Sequence, residues 1–219
     1  MPLVRASRLA AVALLTAALL PLSGCLYAQI PVETPAADRP TTTPAPSDTP
    51  DAVEELPASL TFADGQDLPV TAYIEWGDGL ISDDGWEVDA PDDGNGNWSY
   101  ITRDGTCTAQ FWQGTLGDVA VAGDDSATSD AIIATIVGAT REEVATYGTD
   151  GELGYQAGGV GGVDARQVSG EDGDRTWIMT ARGFSRLGVG LYVIADCTGA
   201  DVEAILGEIT EKNAVVVTP

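Results

Sequence analysis

Residues 98–113 read WSYITRDGTCTAQFWQ. Trp98, Tyr100 and Thr102 alternate with Ser99 and Ile101, the two-residue period of a strand whose side chains face opposite ways in turn. Asp104-Gly105 is a strong signal for a two-residue hairpin, because a tight turn between twisted strands needs positive φ and this pair tolerates it. The next strand runs from Cys107 to Gln113, with Cys107, Ala109 and Phe111 on one face. Upstream, Trp86 and Val88 alternate with polar residues before a turn at PDDGNGN (91–97). Glu87 to Gln113 therefore predicts an antiparallel β-meander.

Downstream, SDAIIATIVG (129–138) predicts a helix, with Ser126 or Ser129 as its cap and Gly138 as its end. Thr140 and Glu143 have the spacing of a capping box and predict a second, shorter helix. Residues 148–162 are glycine-rich and read as a loop. Strands are expected again at 163–169, 175–182 and 188–197, with a turn at 171–174. Val202, Ile205, Leu206 and Ile209 recur at helical spacing after a start near Thr198–Asp201. The closing AVVV predicts an edge strand. Strands, helices, strands and a helix in this order argue for an α+β domain, an antiparallel sheet with two or three helices packed on one face.

The chain has 219 residues, 34 acidic and 10 basic, for a net charge of −24. Such a surface repels nucleic acid and anionic head groups. There is no histidine, which removes Ser-His-Asp and Cys-His catalysis and His-ligated zinc. Gly183-Phe184-Ser185-Arg186 is followed by Leu187 rather than glycine, so it is not a nucleophile elbow. Asp93, Asn95, Asn97, Ser99 and Asp104 fall at ligand positions of a calcium loop. Trp98, however, stands where that loop needs glycine, so a turn is expected and no metal or other cofactor. A pair of carboxylates would still suffice for a glycosidase.

The N-terminus has a different character. Arg5 and Arg8 precede an apolar run, Leu9 to Leu20, of 12 residues, too short for a bilayer core that needs about 20. Leu22-Ser23-Gly24-Cys25 follows. This arrangement resembles the bacterial lipoprotein signal peptide, with its Leu-[Ser/Ala]-[Gly/Ala]-Cys lipobox. The resemblance implies cleavage after Gly24, a diacylglycerol thioether on Cys25, and a protein lipid-anchored to the cell membrane on its extracytoplasmic face. Loss of residues 1–24 would leave 8 basic residues against 34 acids, a net of −26. Residues 25–57 would form the tether: seven prolines between Pro31 and Pro57 interrupt Thr, Ala, Asp and Glu without apolar periodicity. Such a segment buries too little surface to offset chain entropy and is expected to be disordered. About 160 residues remain, 58–219, enough for one acidic domain. Its element order and its Gly85-Trp86…Trp98…Cys107 layout resemble the Mog1/PsbP-like domains of some bacterial lipoproteins, which implies no activity.

With Cys25 lipidated, Cys107 and Cys197 remain. Export would place them in an oxidising compartment, where disulfides persist. Both are expected in strands, Cys197 on a face with Leu191, Val193 and Ala195. A disulfide between them is the expectation; two buried thiols are the alternative. Six aromatic residues crowd between Trp76 and Trp112, either as core or as a binding platform. Phe111 and Trp112 are adjacent on a strand, so if Phe111 is core Trp112 is the candidate contact. The expected function is a non-catalytic binding or envelope-assembly module that meets a protein or glycan ligand. The alternative is a carboxylate-only hydrolase of cell-wall or other glycans.

Overall fold

The computed structural model describes residues 56–156 and 161–219. Signal peptide, cleavage after Gly24, lipidation of Cys25 and all but the last residues of the tether fall outside the described residues.

The hairpin forms as its residues require. β3 (Asn97–Thr102) and β4 (Cys107–Thr115) pair antiparallel. The turn between them carries Gly105 at φ 74°. Asp104 accepts hydrogen bonds from the Thr106 amide and hydroxyl and from Thr102. β2 (Trp86–Ala90) completes the meander. The stretch that mimics a calcium loop is a turn: Asp93 Oδ1 accepts from the amides of Asn95 and Asn97.

β5 (Thr149–Gly154), β6 (Gly162–Asp172), β7 (Arg175–Phe184) and β8 (Val189–Thr198) extend the meander into one sheet. Its order is β2-β3-β4-β8-β7-β6-β5, antiparallel throughout. A second, two-stranded sheet pairs β1 (Tyr73–Trp76) with β9 (Val215–Thr218). The terminal strand thus forms, with β1 as its partner. The domain is α+β, as its element order predicts.

Among the described residues, four helices accompany the large sheet: α1 (Phe62–Asp67), α2 (Asp125–Val137), α3 (Arg141–Tyr147) and α4 (Val202–Lys212). They divide between its faces rather than gathering on one. Leu206 and Ile209 of α4 join Phe111, Ile178, Leu191, Val193 and Ala195 in one core. Ile132 and Ile133 of α2 and Val144 of α3 join Met179, Ala181 and Val168 in a second. The physical reason is period two: β7 and β8 are apolar on both faces, and each face needs its own cover. α2 begins earlier than its serines suggest, at N-cap Asp124, two residues before Ser126, and the Asp124 side chain accepts from the Ala127 amide. Ser129 lies inside the helix, where its hydroxyl donates to the Asp125 carbonyl and accepts from the Gly183 amide. α3 starts at the expected capping box of Thr140 and Glu143.

Residues 149–154, expected in a loop, form β5. Glycine here reflects packing: a Cβ on Gly154 would stand 2.0 Å from the Thr210 carbonyl oxygen. Only glycine lets α4 and this edge strand approach so closely.

Cys107 and Cys197 face each other across the β4–β8 ladder and are joined by a disulfide. Closing a loop of 90 residues is worth about 4–5 kcal/mol in the chain-entropy account. At the other end of the sheet, Arg182 is fully buried and paired with Asp125 at 3.0 Å. Its guanidinium lies 4.6 Å from the centroids of Phe62 and Phe184 and donates to the carbonyls of Thr61 and Asp164. Burial pushes it down to about 10, against the opposing pull of Asp125, so it stays charged at neutral pH and must be paired.

Candidate functional site

Strand alternation sends Phe111 and Trp112 to opposite faces. Phe111 is 1 % exposed and sits among three rings: Trp98 stacks on it at 5.4 Å, and Trp76 and Tyr100 meet it edge-on. Trp76, Trp86, Tyr100 and Phe111 are therefore core. Trp98 and Trp112 are half-buried, and each borders a cleft.

The first cleft is an apolar groove of about 280 Å³. Trp112 and Tyr192 line it from the sheet, Ile132 and Ile136 from α2, and Leu116 and Val119 from the segment between them. Trp112 and Tyr192 are direct cross-strand partners, stacked at 5.5 Å. A row of three glycines, Gly114, Gly190 and Gly183, crosses β4, β8 and β7 beneath them. A Cβ on Gly114 would stand 2.7 Å from the Trp112 ring, and one on Gly183 would stand 2.3 Å from Thr128 of α2. The row lets the indole and the helix lie close on the sheet. Ile136 is 45 % exposed at the rim. Apart from Asn97, Thr115 and Thr135 the lining offers few hydrogen-bonding side chains.

The second cleft, of about 420 Å³, lies on the other face. Trp76, Trp98 and Tyr100 line it with the exposed Ile81 and Val88 and the carboxylates of Glu75, Asp78 and Asp92. The Tyr100 hydroxyl donates to Asp78. Burial first, and Asp78 second, push that phenol well above its ordinary value. Among the described residues no three Asp, Glu or Cys side chains gather as a metal site would require.

Trp112, the residue singled out by strand alternation, thus borders the first groove. Cys107 and Cys197 are brought together, and Cys25 and Gly24 lie outside the described residues. Tyr192 was not anticipated. Its signal was present, because antiparallel pairing of Cys107 with Cys197 places Trp112, five residues on, opposite Tyr192, five residues back. Of the second cleft's carboxylates, Glu75 and Asp78 come from one short stretch and Asp92 from another. No protein family matches the chain, and no curated protein is similar to it.

Proposed function

We propose that this protein is anchored through lipid on Cys25 to the extracytoplasmic face of the cell membrane, and that its domain binds a partner there without catalysis. The observation that carries the binding role is the half-open Trp112–Tyr192 groove, an apolar cleft of about 280 Å³ with two stacked rings at its wall. Its size and mostly carbon lining suit an apolar side chain of a protein partner better than a glycan, which would leave hydroxyls unpaired. The LSGC pattern at 22–25 supports the anchor.

Two measurements test this reading. Cys25→Ala should abolish incorporation of labelled palmitate and release the protein from membranes; retention of both would sink the anchor. A photo-crosslinking residue at Thr135, on the rim, should capture a discrete partner in cells, and Trp112→Ala should remove that product. The same products in both backgrounds would refute the groove.

The second reading is a carboxylate-only hydrolase. It is favoured by one observation, the presence of Glu75, Asp78 and Asp92 in a cleft beside Trp76 and Trp98. Release of reducing ends from cell-wall glycan, lost in Asp78→Asn, would establish it.

A further inference from the structure

The Trp112–Tyr192 groove has walls of carbon and surroundings of one sign. Three segments build it: 91–102, which ends in β3; 112–137, from β4 through α2; and 187–198, which holds β8. None of the three carries a lysine or an arginine. The cations that flank the groove on β6 and β7 are committed elsewhere, Arg166 to Asp130 and Asp150 and Arg175 to Asp196. The apolar surface does not stop at the rim, because Val137, beside Ile136, is 38 % exposed.

Two exposed acids adjoin the lining. Asp93 is tied to it through Asn97, a lining residue whose Nδ2 donates to Asp93 Oδ2 at 3.0 Å. The Asn95 amide, with help from Asn97, holds this carboxyl below its ordinary range, so it is ionised at neutral pH. Its charge is felt at the groove wall: burial first, and Asp93 second, push the Tyr192 phenol up. Asp118 lies in the short turn Gly117–Val119, between the lining residues Leu116 and Val119.

Charge decides between the occupants such a groove could take. The chain's own residues 26–55 carry six acids against one arginine, and a second copy would bring a net charge of −24 to a surface of the same sign. Like charges brought together across an interface are unfavourable, and both occupants are disfavoured on that ground. We infer that the groove takes an apolar side chain of a partner protein that is flanked by lysine or arginine. The carbon anchor fills the space beside Trp112, and the flanking cations meet Asp93 and Asp118. Exposed pairs of this kind add little affinity each, but they speed encounter and select among partners. The inference rests on the reading of the groove as a docking site and adds the class of segment it accepts.

The test titrates the full-length protein with capped pentapeptides, Gly-Lys-Leu-Lys-Gly, Gly-Ser-Leu-Ser-Gly, Gly-Glu-Leu-Glu-Gly and Gly-Lys-Gly-Lys-Gly, and with the same series carrying phenylalanine for leucine. The readout is the indole N–H resonance of Trp112. In about 10 mM salt the lysine-flanked anchor should bind about fivefold tighter than the serine-flanked one, and the glutamate-flanked one should bind weakest. In about 1 M salt, where the screening length is about 3 Å, the three should converge. Asp118→Asn, a surface change with little bearing on folding, should reduce the fivefold preference to about twofold. If the three anchored peptides bind alike in low salt, or Asp118→Asn leaves the preference intact, the charge inference falls while the groove stands. If Gly-Lys-Gly-Lys-Gly moves Trp112 as far as the anchored lysine peptides do, the attraction belongs to the acidic surface at large and the inference falls. If no anchored peptide moves Trp112, the docking reading falls and this inference with it.

Discussion

On one face of the sheet Phe111 is enclosed by three aromatic rings; on the other, one residue along the same strand, Trp112 stacks on a single ring and stays half-exposed. Both are large aromatics on β4, and both face a layer of helix or sheet. The difference lies in how far each layer reaches. α4 and the β1–β9 ribbon share one core with the β3–β4 aromatics. α2 lies chiefly over β7 and β6, where the glycine at 183 lets it settle, and it leaves the β4–β8 aromatics only partly covered. Burial of an aromatic is thus decided less by its own hydrophobicity than by where the opposing layer ends.

The sharpest way to break the comparison is to break the junction between the layers. Arg182 shares a strand face with Ile178 and Phe184, yet its ion-pair partner Asp125 opens α2, the helix of the opposite core. Asp125 also accepts from the Ser185 amide and hydroxyl. Asp125→Asn leaves a fully buried guanidinium without its charge partner, and such losses cost about 3–5 kcal/mol. Urea unfolding should show a fall of that size, with both cores lost in one transition. A fall below about 1 kcal/mol would mean that the pair contributes little and that the Thr61 and Asp164 carbonyls suffice.

A smaller effect is expected from separating α2 from its face alone. Gly183→Ala puts a methyl 2.3 Å from Cγ2 of Thr128. Thr128 cannot swing away easily, because its hydroxyl donates to the Asp124 carbonyl and accepts from the Val121 amide. Overpacking of this kind costs about 1–3 kcal/mol. The prediction is a lower urea midpoint, together with a change in the fluorescence of the Trp112 side and little change around Phe111. Disturbance of both environments alike would show that the two faces are not independent.

How much of this was legible in the chain follows from the same contrast. The hairpin at 97–115, the capping box of α3 and the helical spacing of α4 are local signals, and they give those elements directly. The disulfide is less local, yet two inward cysteines in neighbouring strands were enough to suggest it. β5 was hidden because the glycines that permit close packing against α4 look the same in sequence as the glycines of a loop. The split of helices between two faces was equally hidden. It depends on which helix reaches which apolar side of β7 and β8, and both sides are apolar. Asp125 and Arg182, 57 positions apart, read as ordinary charged residues until the fold brings them together.

The smallest predicted effect concerns the two short helices, which share one device in different settings. Thr61 with Asp64 opens α1 and Thr140 with Glu143 opens α3, each as a capping box. In both, hydrogen bonding from the cap threonine holds the carboxylate below its ordinary value. A carboxylate lowered by folding stabilises above its ordinary pKa, and that contribution is lost as pH falls through the lowered one. Acid should therefore loosen both caps. α1 has further attachments, since Arg182 and Arg186 donate to its Thr61 and Gln66 carbonyls. Among its own residues α3 buries only Val144. Between about pH 5 and pH 3, the Cα shifts of Arg141–Tyr147 should move toward coil values while those of Phe62–Asp67 hold. Glu143→Gln should make the α3 shifts independent of pH over that window. If α1 frays first, or if the variant titrates like the parent, the capping carboxylate is not what holds α3.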